Sequence, residues 1–191
     1  MSTGAHRTPS PGPCLVLGLL VAGLASAATA AEPAPLQPSA APAGPDWMLS
    51  VPKSREPGRA QLVFADPEAG APRLSLSCDA GSGMIVAAFD VGQKLASRQR
   101  NGVWIDAIGR PEPWAVSVSV ASVSQTTTLR GAARHNAATS GSSIAVEIAT
   151  AAPVVAEWRK TGALRFRAAL EDRQEPPAPR AMVAKFLRVC K

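Results

Sequence analysis

From Arg73 onward, apolar and polar residues alternate with a period of two in one stretch after another, the pattern of strands that bury a single face. The spacing predicts a strand over Arg73–Cys78 with Leu74, Leu76 and Cys78 on one side. The turn formers Asp79, Ala80, Gly81, Ser82 and Gly83 then send the chain back into a second strand over Met84–Val91. Asn101-Gly102 supplies two residues that tolerate positive φ, as a type I′ turn requires, so Lys94–Arg100 and Val103–Ile108 are expected to pair as a second hairpin. Beyond Arg110, Pro111, Glu112 and Pro113 a long strand begins at Trp114. There Val116, Val118 and Val120 alternate with Ser117 and Ser119, and Val123 falls three places on, a slip that a bulge near Ala121 and Ser122 would absorb.

Gly131–Ser143 is rich in small and polar residues and reads as a long connection, after which Ile144, Val146 and Ile148 resume the period of two. Leu164, Phe166, Ala168 and Leu170 mark one further strand, and Met48–Val51 and Gln61–Phe64 are shorter candidates. Two segments follow a helical period instead. Pro153 and Gly162 bracket a short helix holding Val154, Val155 and Trp158, since proline suits the first turn and glycine the position past the last. After the breaker Glu175–Pro179, the residues Met182, Val183, Phe186, Val189 and Cys190 recur as one stripe of an amphipathic helix. The fold class expected is mainly β (α+β): an antiparallel β-sandwich or bent sheet of six to eight strands, with the C-terminal amphipathic helix packed on it.

The first thirty residues are of a different kind. Arg7 precedes an apolar run from Leu15 to Leu24, which gives way to Ala25, Ser26, Ala27, Ala28, Thr29 and Ala30, the architecture of a secretory signal with cleavage after Ala27 or Ala30. The rival reading is an uncleaved anchor, because Cys14–Ala31 is eighteen residues without a charge, near the lower limit of about 17 for a spanning helix. Its last third is Ala, Ser and Thr, too weakly apolar to hold a helix in hydrocarbon, so no stable membrane insertion is expected after cleavage. The organisation expected is therefore a signal peptide over 1–30, a Pro/Ala-rich linker over 31–46 that cannot bury enough to order itself, and a single β-rich exported domain over 47–191.

Export changes what the cysteines mean. Once Cys14 is removed with the signal, Cys78 and Cys190 are an even pair in a compartment that oxidises thiols, and a disulfide between them is expected. That placing resembles the cysteines of small exported bacterial proteins, including periplasmic lysozyme inhibitors; the serine, glycine and tyrosine signature of those inhibitors has no counterpart here, so nothing more is carried over. Without Arg7 the formal charge of +6 becomes +5, or 19 basic against 14 acidic residues, a mild excess dispersed along the chain. Its densest points are Arg98 with Arg100, Arg159 with Lys160, and Arg165 with Arg167, the last spaced as the wet face of a strand. Such points suit solvated surface or contact with an anionic envelope component, whereas nucleic acid recognition would call for basic stretches interleaved with aromatics.

Candidate chemistry is sparse. The mature chain holds one histidine, His135, set among small polar residues and read as a solvated loop side chain, not a catalytic base. Gly81-Ser82-Gly83 lacks the spacing of a nucleophile elbow, and the phosphate-binding glycine motifs and spaced metal ligands are missing, so neither cofactor nor metal is expected. A glycosidase-like acid pair drawn from Asp79, Asp90, Asp106, Glu147 and Glu157 is not singled out by spacing. Exposed indoles anchor interfaces, so Trp114 and Trp104 are the candidate partner contacts among Trp47, Trp104, Trp114 and Trp158. These observations point to an exported, periplasmic or extracellular, non-catalytic binding or accessory protein of the bacterial envelope. Its expected partner is an envelope protein or an anionic envelope component. The alternatives from other classes are a hydrolase of wall glycans or esters and a membrane-tethered structural protein.

Overall fold

A computed structural model of the chain describes residues 44–53, 58–68 and 71–191; the expected signal peptide and most of the linker lie outside the described residues. Eleven strands and two helices follow in order: β1 (Asp46–Ser50), β2 (Arg59–Ala65), β3 (Pro72–Asp79), β4 (Met84–Val91), β5 (Arg98–Arg100), β6 (Val103–Ile105), β7 (Trp114–Ala121), β8 (Thr126–His135), β9 (Ser142–Ala149), α1 (Pro153–Thr161), β10 (Arg165–Ala168), β11 (Glu171–Gln174) and α2 (Arg180–Cys190). The architecture is mostly β, a large antiparallel curled sheet with a C-terminal helix.

Nine strands form that sheet in the order β1-β2-β3-β4-β9-β8-β7-β10-β11, and β5 with β6 makes a separate two-stranded ribbon. The count of six to eight is therefore too low. One added strand is β11, whose Glu-Asp-Arg-Gln sequence has no apolar residue to betray it; it is held at the sheet's edge by register with β10, Phe166 opposite Arg173 and Arg167 opposite Asp172. The other is β8. Gly131–Ser143 is not a long connection, because its first five residues continue a strand that pairs with β7 on one side and β9 on the other. The expected bulge at Ala121 and Ser122 is a tight hairpin turn, with Ala121 opposite Thr126. Leu170 is not in a strand either: it turns at φ 71 and is 98% exposed.

Size explains why β8 looks like a loop. Its inward row includes Leu129, Gly131 and Ala133, and a Cβ on Gly131 would lie 2.8 Å from Val118 Cγ2 and 2.9 Å from the Ala145 carbonyl. The bend leaves no room for larger side chains, so the apolar half of the alternation shrinks to glycine and alanine. Curling also brings distant strands together across the interior, where Phe89 of β4 meets Phe166 of β10 at 5.2 Å between ring centroids. At the ends, Arg173 donates to the Asp90 carbonyl, the Trp47 indole donates to the Pro176 carbonyl, and the buried Glu175 carboxylate lies 3.6 and 3.7 Å from Arg73 and Arg173.

The two helices close the remaining side. Pro153 opens α1 and Gly162 ends it in the left-handed conformation at φ 76, donating to the Trp158 carbonyl. Trp158 then packs against Phe186 of α2 at 6.1 Å, and both are buried. Glu157, on the other side of α1, accepts from the Ser124 amide, the Ser124 hydroxyl and the Gln125 amide, at 2.8, 2.6 and 2.8 Å. The Ser124 hydroxyl bond comes first among the causes that hold its pKa below the usual carboxylate range. One carboxylate thus fastens the helix to the β7–β8 turn. α2 lies over β2 and β3, and the turn after β3 caps it: Gly81 and Gly83 donate to the carbonyls of Val189 and Cys190, which a helix end leaves without intrahelical partners. Beside that cap Cys78 and Cys190 are joined, Cα atoms 5.5 Å apart, so the expected cysteine pair sits at disulfide distance in the core.

Candidate functional site

The outward face of the sheet is built from the polar half of the same alternation, and around β7 that half is unusually small. Ala115, Ser117, Ser119 and Ala121 point outward along β7. On one flank β10 presents Arg165 opposite Ala121 and Arg167 opposite Ser119. On the other, β8 presents Arg130 opposite Ser117, and Thr128 and Thr126 opposite Ser119 and Ala121. Short side chains on β7 and on Thr126 and Thr128 of β8, bordered by Arg165 and Arg167 on one side and by Arg130 further along the other, leave a shallow trough. Two shallow hollows lie along it, about 210 Å³ between Ser119, Ala121, Thr126, Arg165 and Arg167, and about 440 Å³ over Ala115, Val116, Ser117, Thr128, Leu129 and Arg130.

Charge in the trough is uneven. Asp172 of β11 accepts from Arg165 Nε at 2.7 Å and from Arg165 Nη2, and from Arg167 Nη2 at 3.2 Å. The Arg165 hydrogen bonds come first among the causes that hold the Asp172 carboxyl down to about 2, and the same bonds raise Arg165. Two arginines share one acid, so this flank keeps a net positive charge and its guanidinium groups are held in fixed orientation. Arg130 has no carboxylate within ion-pair distance among the described residues. Serine and threonine hydroxyls on the floor and flank add donors and acceptors, and no aromatic side chain lines either hollow.

The other basic points carry less. Arg159 and Lys160 stand in the last turn of α1, where cations offset the carbonyl end of the helix, and they border a cleft of about 480 Å³ between α1 and α2 with Lys191 and Leu187. Arg98 and Arg100 are exposed on the β5–β6 ribbon, away from any of these hollows. No carboxylate lines the three hollows named, and the acids considered for hydrolysis are engaged elsewhere: Asp79 with Arg59, Asp90 with the Ser143 hydroxyl, Asp106 with Arg110, and Glu157 at its turn. Glu147 stands exposed on β9. Among the described residues no three His, Cys, Asp or Glu side chains gather as a metal site would require, and no helix is long and apolar enough to cross a membrane.

The tryptophans divide. Trp114 is 5% exposed and its indole donates to the Arg110 carbonyl at 2.9 Å, so it faces the core and offers no surface to a partner. Trp47 and Trp158 are buried as well, while Trp104 on the ribbon is half-buried against His135, ring centroids 4.0 Å apart. His135 is accordingly the last residue of β8, half-buried under an indole, with its amide donating to Glu112 at 2.8 Å, and not the solvated loop side chain its neighbours suggested. Sequence reasoning singled out Arg165 and Arg167 but missed Arg130, Asp172 and the floor, because those meet only through strand pairing. No family model, curated protein or solved structure matches this chain.

Proposed function

We propose that the chain is exported and works by binding, without catalysis, an anionic component of the bacterial cell envelope in the trough along β7. The observation that carries the reading is that Arg165 and Arg167 border one hollow along β7 and Arg130 the next, beside Ser117, Ser119, Thr126 and Thr128, with one acid shared between the first two. Arginine forks match the oxygen geometry of phosphate, sulfate and carboxylate, and a guanidinium already fixed by Asp172 loses less freedom on binding. Export rests on the sequence of residues 1–30, and the Cys78–Cys190 pair agrees with an oxidising compartment.

Retention on phosphocellulose against rising salt tests the binding. The triple variant Arg130→Gln/Arg165→Gln/Arg167→Gln is expected to elute well before Arg98→Gln/Arg100→Gln/Lys160→Gln, which loses the same charge elsewhere. Equal elution of the two would reduce the retention to net charge and end the proposal. Mass measurement of the exported product tests the address: cleavage after Ala27 or Ala30 supports it, and an intact Met1–Ala30 segment opposes it.

A further inference from the structure

Where β10 ends, β7 goes on alone. The register between them stops at Ala168 opposite Val118, because Ala169 and Leu170, at φ 52 and 71, turn the chain into β11 before it reaches Ser117. On that side Trp114–Ser117 has no strand, and among the described residues none of the backbone hydrogen bonds formed outside the ladders involves this stretch. In an antiparallel strand alternate residues aim both backbone groups at the same neighbour, so half of the stretch presents its amides and carbonyls to the gap.

Burial marks the same gap from the inside. Val118 and Val120, which β10 covers, are 0% exposed, whereas Val116, next in the same inward row, is only half-buried. Sheet edges are ordinarily guarded by charge, proline or a bulge. β11 follows that rule with its Glu-Asp-Arg-Gln sequence, but Trp-Ala-Val-Ser carries neither charge nor proline, and Leu170 in the turn that leaves the gap is 98% exposed. On the outward face the surroundings are basic. Arg165 and Arg167 share one acid, and Arg130, level with Ser117 across β7, has no carboxylate within ion-pair distance among the described residues. A strand filling the gap would stand two strand spacings from Arg130, about 9.6 Å, a span that a guanidinium and a glutamate close together over the short Ser117.

We infer that the open edge of β7 takes up a strand from a partner: an extended peptide segment, acidic and apolar by turns, paired with Trp114–Ser117. Its apolar residue covers Val116 on the inside, and its acidic residue opposite Ser117 meets Arg130 on the outside. Main-chain bonds supply affinity in such strand addition, and alternate side chains supply specificity. This deepens the proposed function and rests on it for the arginines; the anionic component is then an acidic segment of an envelope protein.

Fluorescence anisotropy of labelled synthetic peptides with the full chain tests the inference. A short peptide alternating glutamate and valine should bind about tenfold tighter than the same residues arranged in two blocks, and tighter than inorganic polyphosphate of matched charge. Methyl groups on the valine amides or on the glutamate amides separate the modes, since only one of these sets faces β7: one peptide should lose binding and the other keep it. Arg130→Gln should weaken the alternating peptide about threefold, while Arg98→Gln leaves it unchanged. The inference is overturned if the two methylated peptides bind alike, if the block peptide or polyphosphate binds as tightly, or if the chain dimerises alone and the peptide cannot separate the copies, which would give the edge to a second copy. If the triple variant still loses phosphocellulose retention while alternation makes no difference, strand addition fails and anion binding stands. If retention is also indifferent to the trough, both fail.

Discussion

Reducing the bond between Cys78 and Cys190 should cost the domain a large share of its stability while leaving the native fold in place. The two residues are 112 apart, and in the chain-entropy treatment a crosslink closing a loop of that size removes about 5 kcal/mol of conformational freedom from the unfolded chain. The native side of the balance barely changes on reduction, because other contacts hold the same junction. The Gly81 and Gly83 amides still cap α2, and Val183, Phe186 and Leu187 still bury their stripe under the sheet. Urea unfolding with and without a phosphine reductant measures the difference, with the buried Trp158 beside Phe186 reporting on the helix layer. At a slope of about 2 kcal/mol per molar, the midpoint should fall by roughly 2.5 M, and the slope should rise because the uncrosslinked unfolded chain exposes more surface. Reduction is cleaner than a double alanine variant, which would also empty volume in the core. A loss below about 1 kcal/mol, at unchanged native fluorescence, would refute the reasoning.

Two further outcomes follow from local geometry. Gly162→Ala should cost about 3 kcal/mol or more, because a Cβ there meets the Ala178 backbone at a positive φ, while Gly109→Ala, also at positive φ but with nothing within 4 Å, should cost about 1 kcal/mol; equal losses in thermal unfolding would refute the contact. Asp172 titrates at about 2 in the fold against an ordinary 3.8, so the stability its clamp contributes is fully present above about pH 4 and is lost as pH falls through the lower value; a carboxyl resonance titrating near 3.8 would show the clamp open.

Much of the fold was legible because the period of two is a physical record of burial. β3, β4, β7 and β9 carry branched or aromatic residues on the inward row, and their extents match the alternation closely. Asn101 and Gly102 do adopt positive φ, and Pro153 and Gly162 do bound α1. The failures share a cause. The interior of a tightly curled sheet selects small residues where strands approach most closely, so β8, with Gly131 and Ala133 facing in, loses the hydrophobic signal that alternation depends on. β11 has no apolar row at all, since its place is set by pairing to β10 and by Asp172 and Arg173 reaching neighbouring groups. Trp114 misled for the opposite reason: a large aromatic beside a proline at a strand entrance resembles a surface anchor, yet the curl folds it inward onto the Arg110 carbonyl.

The candidate site was less legible than the fold, and the reason lies in how it is assembled. Arg165 and Arg167 advertise themselves as an alternating pair, but their meaning depends on what stands opposite, and Ser119 and Arg130 are 46 and 35 positions away from Arg165 in the chain. Strand order β8-β7-β10 brings three separately coded rows into one surface, the threonines and Arg130 of β8, the short row of β7 and the two arginines of β10. β9 is paired on both sides, by β4 and β8, so the chain crosses through α1, which Glu157 fastens to the β7–β8 turn, and β10 adds to the free side of β7. The trough ends at that turn, where Ala121 and Thr126 line its first hollow. Loosening the hold of Glu157 should therefore disturb anion binding without touching a single arginine, an effect that a mere patch of surface charge would not show.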